Sequence, residues 1–173
     1  MNNPEILLET RRFRVVRRTQ QLPDGRLSSR EVIEHPGAVA IVPLVDETHV
    51  CLIRNYRLAI GQWLLEIPAG TLEPGEDPSE TARRELAEET GYTARSLTPL
   101  CQLVFSPGIL RERMHIFVAS GLSPGPTRLE FGEQIATQVM PLTEILAMIE
   151  RGEVEDAKTV AALLLFERTR RAS

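Results

Sequence analysis

One charged segment, residues 70–92, limits the fold more than any other part of this chain. Its sequence is GTLEPGEDPSETARRELAEETGY, which marks both ends of a helix. Asp77 suits the N-cap, Pro78 the first helical position and Glu80 a reciprocal capping-box partner. Gly91 suits a left-handed C-cap. The segment therefore predicts an acidic loop followed by a helix between Asp77 and Gly91.

Three glutamates share one side of this predicted helix. At about 100° per residue, Glu85, Glu88 and Glu89 lie within an arc of roughly 100°, whereas Ala82 and Leu86 turn toward a core. Like charges at these spacings each cost a helix about 0.2–0.5 kcal/mol, so stability alone would not favour them. One interpretation is a solvated acidic face. The other is a cation site, which would suit Mg²⁺ or Mn²⁺ because the donors are oxygens.

Two further charged residues have a functional and a structural interpretation each. Arg84 can orient Glu76 or a neighbouring carboxylate through a forked hydrogen bond, or it can be a surface arginine paired with Glu80 or Glu88. Glu66 interrupts an apolar strand, where a charge needs a partner or a ligand. It could equally lie on the solvent face of an alternating strand.

Short apolar runs separated by turn residues predict many strands and three helices. Strands at 6–8, 13–19 and 27–34, with a hairpin turn at 22–26, indicate a small antiparallel sheet. Further strands are predicted at 38–45, 49–55, 63–68, 100–105, 115–119 and 134–140, and further helices at 143–151, capped by Thr143, and at 158–170. The fold class is α+β, a mixed-sheet sandwich, with an N-terminal sheet at 1–36 and a main domain at 37–173.

The composition excludes several kinds of partner and site. A net charge of −4 leaves no basic face to track a nucleic acid polymer. No apolar run approaches about eighteen residues and no secretory signal is present, so we expect no membrane association and a cytoplasmic location. His35, His49 and His115 lack partners at zinc-ligand spacing, and Cys51 and Cys101 are interpreted as buried thiols rather than a disulfide.

The spacing within 70–92 resembles the Nudix box. That motif requires Gly, five residues, Glu, seven residues, and then Arg-Glu-hydrophobic-x-Glu-Glu-x-Gly. The matching positions are Gly70, Glu76, Arg84, Glu85, Leu86, Glu88, Glu89 and Gly91. The chain is thus similar to the Nudix hydrolases, and the resemblance implies a magnesium-dependent pyrophosphatase with the Nudix fold.

Segments outside the box resemble the ADP-ribose pyrophosphatase branch of that family. They are residues 30–40, 53–57 and 64–70, and Ser106-Pro-Gly followed by Glu112. Pro107, fifteen residues after the box, has the placement associated with this branch. The resemblance implies an α/β/α sandwich preceded by an antiparallel sheet that is exchanged between the subunits of a homodimer. From the residues alone, Phe13, Val15 and Trp63 could equally be intramolecular core.

The resemblance also implies residue roles. The Ala69 carbonyl, Glu85 and Glu89 would bind the metal, with Glu88 in the inner or outer shell, and Glu112 would be the general base or a further ligand. Arg57 and Glu66 would contact the substrate, and Arg30 could do so from the partner subunit. Two departures bear on substrate choice: Ile109-Leu-Arg111 is bulkier and more basic than in the branch, and Glu133-Gln-Ile135 keeps only part of an acidic cluster.

The implied reaction is cleavage of ADP-ribose to AMP and ribose 5-phosphate. Within the enzyme class, the alternatives are other nucleoside diphosphate compounds, such as a GDP-sugar, a flavin or dinucleotide, or an oxidised nucleotide. A different class is a non-catalytic domain that senses ADP-ribose or a related nucleotide. Silent relatives usually lack one of the box glutamates, and this chain has all of them, which favours an enzyme.

Overall fold

The computed structural model describes residues 4–172 as strands, helices and short connections. In chain order, the elements are β1 (Glu5–Glu9), β2 (Arg14–Gln21), β3 (Leu27–Glu34), β4 (Ala38–Pro43), β5 (His49–Arg57), β6 (Gln62–Glu66), β7 (Ala69–Thr71), α1 (Pro78–Thr90), β8 (Tyr92–Leu103), β9 (Leu110–Arg111), β10 (Met114–Pro124), β11 (Ile135–Pro141), α2 (Leu142–Glu150) and α3 (Ala157–Ala172). Within this range, the mixture of sheets and three helices confirms the predicted α+β class.

The strands form three sheets. The N-terminal sheet has the order β1-β2-β3-β9, the central sheet β7-β4-β10-β8, and the third sheet β11-β5-β6. The central sheet is mixed, because β10 runs parallel to β4 and antiparallel to β8. The predicted hairpin between β2 and β3 is confirmed, with Gly25 in its turn at a φ of 83°. The boundary between 1–36 and 37–173 remains a prediction.

Strand β4 organises the core because all six of its residues are buried. Val39 and Ile41 face α1, where they pack with Ala82 and Leu86. The alternate residues of the strand face the other way, into a cluster that includes the third sheet, α2 and α3. A strand covered on both faces reads as a continuous apolar run. The central sheet is therefore the middle layer of a sandwich.

Both ends of α1 lie where the sequence predicts. Asp77 accepts a hydrogen bond from the Ser79 N–H at 2.8 Å, and Gly91 has a φ of 74°. A side chain at Gly91 would also meet the Gly125 carbonyl oxygen at 2.3 Å. The predicted capping box is wrong, since the Glu80 carboxylate is directed toward Arg83, 3.9 Å away. The N-cap alone fixes the start of the helix.

Other boundaries differ from the predictions. Thr143 is not an N-cap, because α2 already begins at Leu142 after Pro141. Strand β8 begins at Tyr92, directly after α1, since its pairing with the long β10 extends it toward the helix. The two short strands β7 and β9 were not predicted, and both lie at the pocket described below. No helix in residues 4–172 is long and apolar enough to cross a membrane.

Candidate active site

A pocket of about 1120 Å³ opens where α1, the start of β7, the N-terminal sheet and the loop after β8 meet. Its lining includes Glu85 and Glu89 from α1 and Glu112 from the loop. Arginines also line it, among them Arg57 and Arg84. An acidic floor beneath basic walls is suited to a small anion together with a cation.

Gly70 allows Glu85 to lie against the backbone of β7. A Cβ built on Gly70 would stand 1.9 Å from the Glu85 Cδ and 2.0 Å from its Oε1, so any other residue would displace the carboxylate. Burial raises the pKa of Glu85, and the charge of Glu88 adds to this, while Arg84 opposes it. The position of the Glu85 carboxylate therefore requires glycine at position 70, although fifteen positions separate the two residues in the chain.

Glu89 is the most deeply buried acid of the pocket floor, with 3% of its surface exposed. Its Oε2 accepts a hydrogen bond from the Ala69 N–H at 2.9 Å, which brings the Ala69 backbone beside the carboxylates. Burial raises the pKa of Glu89 to about 8, with repulsion from Glu85 and Glu133 in the same direction. A cation beside these oxygens would relieve both effects.

Arg84 lies among three carboxylates of the motif. Its Nη1 donates to Glu85 Oε1 at 2.8 Å and to Glu88 Oε2 at 3.1 Å. Its Nε and Nη2 donate to the two oxygens of Glu76, both at 3.3 Å. The forked contact with Glu76 and the helical pair with Glu88 are thus both present. These are the contacts that an orienting arginine would make, and the role itself remains a prediction.

The pocket floor fits a divalent cation by its chemistry. Its donors are carboxylate and carbonyl oxygens, two carboxylates are buried close to each other's charge, and the absence of a side chain at Gly70 leaves room for Glu85. In residues 4–172, no three His, Cys, Asp or Glu side chains form a ready ligand set. Arg84 holds one oxygen of Glu85, and the Ala69 N–H holds one oxygen of Glu89, so each carboxylate keeps a second oxygen for a cation.

The loop after β8 is bound to the N-terminal sheet by β9, which runs parallel to β3. The Ile33 N–H donates to the Ile109 carbonyl at 2.8 Å, and the His35 N–H donates to the Arg111 carbonyl at 3.2 Å. The Arg111 Nη1 donates to Glu34 Oε1 at 3.1 Å. The bulky, basic residues of this loop are therefore the ones that attach it to the sheet.

Glu112 follows β9 directly and lines the pocket. Its Oε1 lies 3.0 Å from His35 Nδ1, and both side chains are largely buried. The Gly37 N–H lies 3.2 Å from the same ring nitrogen. Nδ1 accepts from Gly37 when it carries no proton and donates to Glu112 when it carries one, so the two contacts belong to different tautomers of the ring. His35 has no role predicted from the sequence, since it lacks partners at zinc-ligand spacing, and its proximity to Glu112 was missed because it depends on the β3–β9 register.

Arg57 and Glu66 form a bidentate ion pair. Arg57 Nε donates to Glu66 Oε1 at 2.7 Å, and Nη2 donates to Oε2 at 2.5 Å. Glu66 is fully buried, so its placement on a solvent face is wrong. Arg57 lines the pocket, whereas Glu66 stands behind it. A contact between Glu66 and a substrate therefore stays a prediction, and in this conformation Glu66 reaches the pocket through Arg57.

Arg30 and Glu88 do not line the pocket of the described chain. Arg30 is exposed on β3, opposite Arg18. Its predicted contact would have to come from a second subunit. Glu88 reaches the site through Arg84, and its backbone carbonyl accepts from the Arg128 N–H at 2.9 Å.

Oxygen donors for a cation lie beside arginines in this pocket, an arrangement suited to a small phosphorylated compound together with a divalent cation. The chain belongs to the Nudix hydrolases, since residues 34–163 match the NUDIX domain. The predicted family, fold class and enzyme class are confirmed. Members of this family act on small-molecule nucleotides.

Two relatives and one solved structure show how near the likeness is. The ADP-ribose pyrophosphatase of Bacillus subtilis (strain 168) is 43% identical over 145 residues, which is 83% of this chain and 78% of that protein. The methanol dehydrogenase activator of Bacillus methanolicus is 40% identical, with the same coverage. The crystal structure of an ADP compounds hydrolase matches with a TM-score of 0.82 at 30% identity, covering 99% of this chain and 96% of that one.

Proposed function

We propose that this protein hydrolyses the diphosphate bond of ADP-ribose to give AMP and ribose 5-phosphate. The observation that carries the proposal is the pair of carboxylates that line the pocket beside its arginines: Glu89, which is buried, and Glu85, which is partly buried and packed against Gly70. The names of two of the three similar proteins, which refer to ADP-ribose or ADP compounds, support the choice of substrate.

The cation is Mg²⁺, with Mn²⁺ as the second candidate, since both prefer hard oxygen donors. The Ala69 carbonyl, Glu85 and Glu89 would hold it, with Glu88 nearby. When bound, it supplies Lewis acidity and neutralises charge on the diphosphate. Arg84 holds Glu85 and Glu88 in position, a role for which a rigid fork of donors is better suited than an ammonium group.

Glu112 acts as the general base. Its carboxylate takes a proton from a water molecule, the water oxygen forms a bond to one phosphorus, and the bond from that phosphorus to the bridging oxygen breaks. The second phosphate leaves with the bridging oxygen. With a proton on Nδ1, His35 would donate to Glu112 Oε1, 3.0 Å away, and keep the carboxylate directed into the pocket. The backbone pairing of β9 with β3 supports the same position.

Arg57, which lines the pocket as Glu112 does, binds the substrate, with Glu66 behind it. Its guanidinium is well suited to phosphate oxygens, because it keeps its charge and offers several donors in a plane. Arg30 would contact the substrate from the partner subunit of a homodimer. Substrates are small nucleotides rather than nucleic acid polymers, and the enzyme works in the cytoplasm away from membranes.

The N-terminal sheet is the proposed dimerisation element. Its apolar side chains Ile6, Leu8 and Phe13 are 51%, 51% and 37% exposed in the single chain, which supports a partner rather than an intramolecular core. Trp63 is also exposed. Light scattering of the purified 19.4 kDa chain tests this proposal, because a dimer has twice that mass and a monomer would contradict it.

The proposed reaction is tested by measuring product release from a panel of nucleoside diphosphate compounds with Mg²⁺. We expect AMP from ADP-ribose, and no release once the cation is chelated. If a GDP-sugar, a dinucleotide or an oxidised nucleotide is cleaved faster, the proposed substrate is wrong but the proposed type of reaction stands. Tight nucleotide binding without hydrolysis of any compound would overturn the reaction and favour a sensor.

A further inference from the structure

The first turn of α3 supports the segment that leads into the active site. Thr159 Oγ1 accepts a hydrogen bond from the Ile67 N–H at 2.8 Å. One residue earlier in each segment, Lys158 Nζ donates to Glu66 Oε2. Asp156 caps the helix, with its Oδ2 accepting from the Thr159 N–H at 2.9 Å. The first two contacts join segments 92 residues apart, just before Ala69 and Gly70 in the chain.

Lys158 is almost completely buried, with 7% of its surface exposed. Its Nζ also donates to Asp156 Oδ1 at 2.9 Å, so its charge lies between two carboxylates. An ammonium group is costly to bury unless it is paired and hydrogen bonded. Apolar residues could fill the same space without the free-energy cost of desolvating a charge. A role beyond stability would account for the buried ammonium group.

The charges alternate from α3 to the pocket in the order Asp156, Lys158, Glu66 and Arg57. Glu66 Oε2 accepts from both Lys158 and Arg57, while Oε1 accepts from Arg57 alone. Lys158 therefore helps to fix the plane of the carboxylate that the guanidinium matches. The pairing uses Nε and Nη2 of Arg57 and leaves Nη1 for a ligand. Asp156 in turn fixes Lys158.

We infer that Lys158 is a positioning residue for substrate binding: through Glu66, it sets the orientation of the Arg57 guanidinium in the pocket. The inference rests on the proposed function, because it assigns Arg57 to the diphosphate. Lys158 itself touches neither the pocket nor the substrate. Its effect on the reaction thus requires the bidentate geometry that only arginine at position 57 provides.

A double-mutant cycle separates this role from a general contribution to stability. The variants are Lys158→Met, Arg57→Lys and the combination, measured for AMP release from ADP-ribose with Mg²⁺. Arg57→Lys keeps a positive charge beside Glu66 but removes the fork. We expect Lys158→Met to lower kcat/KM about tenfold in the wild-type background, mainly through KM, and less than about twofold in the Arg57→Lys background.

Glu167→Gln is the matched control on the same helix. Glu167 is buried to a similar degree and paired with Arg170 and Arg171, but it does not line the pocket. It should lower the melting temperature and leave kcat/KM unchanged in both backgrounds. If Lys158→Met fails to fold, Asp156→Asn takes its place, because asparagine still caps the helix but no longer holds the ammonium group as an ion pair.

Equal losses from Lys158→Met, or from its substitute, in the two backgrounds would overturn the positioning role. So would an unchanged kcat/KM in the wild-type background. A wild-type protein that releases no AMP from ADP-ribose would instead overturn the proposed function. The two failures are therefore distinguishable in one set of assays.

Discussion

The floor of the pocket and its walls are built in different ways. The floor comes from one continuous segment, in which Gly70, Glu85 and Glu89 lie within twenty positions of one another. The walls combine distant segments: His35 with Glu112, and Arg57 with Glu66 and α3. A local floor can be recognised in a sequence by spacing alone. The walls depend on register and on side-chain contacts, so they are where relatives with the same floor can differ.

The largest effect is expected on the floor itself. Glu85→Gln keeps the shape of the side chain but removes the charge that is proposed to hold the cation, so turnover should fall below detection while the fold is retained. Product release and circular dichroism measure the two properties. An unchanged rate would show that the local motif does not carry the chemistry.

Gly70→Ala tests the floor without removing a charge. The new Cβ would lie 1.9 Å from the Glu85 Cδ, so the carboxylate must move, and we expect kcat/KM to fall about a hundredfold. Gly152→Ala is the control, because nothing lies within 4 Å of a Cβ there and Gly152 does not line the pocket. Equal activity of the two variants would mean that Glu85 tolerates displacement.

On the wall, Glu112→Gln should lower kcat at least about a hundredfold, as expected for loss of a general base. Steady-state kinetics with saturating Mg²⁺ measures it. A loss of tenfold or less would move the role of base to Glu88 or Glu76 on the local motif, and the wall would then serve binding only.

A smaller effect is expected at His35, which contacts the wall residue Glu112. His35→Leu removes the group 3.0 Å from Glu112 Oε1 and should lower kcat about tenfold, with KM little changed. His35→Asn places an amide near the position of Nδ1 and should recover much of the rate. If both variants are equally slow, the ring acts by its bulk and not by its contact with Glu112.

The smallest effect concerns stability of the metal-free protein. Burial raises the pKa of Glu89 to about 8, so its folded form is favoured while it is protonated, and stability is lost as the pH rises through that value. We expect the melting temperature with a chelator to fall between about pH 4.5 and pH 8 and to level off above that, and Mg²⁺ to add more stability at the upper end. Glu89→Gln should flatten the dependence. If the melting temperature of the wild-type protein depends on pH as little as that of the variant, Glu89 is not the source of the pH dependence.

Residues near one another in sequence were predicted well. Asp77 and Gly91 define α1 because each acts on its own helix end, and the three glutamates follow from helical geometry. The box spacing predicted the family for the same reason. Thr143 was misplaced as a cap because Pro141 can precede a helix without a side-chain hydrogen bond.

Contacts across the fold could not be predicted in the same way. Lys158 looked like one more residue of an amphipathic helix, and only its burial against Glu66 distinguishes it. The sequence did offer one signal for this ion pair. Lys158 lies close to the helix N-cap Asp156, and Glu66 lies inside an apolar strand, where its charge needs a partner. Strand β9 has two residues, too few for any periodic pattern.

Strand β9 makes the N-terminal sheet a template for the catalytic loop. The edge of β3 pairs with the backbone that leads to Glu112, so a change in either segment alters the support of the other. A chimaera in which the N-terminal sheet is replaced by an unrelated segment would keep every glutamate of α1. It would lose the β3 edge with which the loop pairs. Engineering of substrate specificity should therefore exchange the N-terminal sheet and the loop after β8 together.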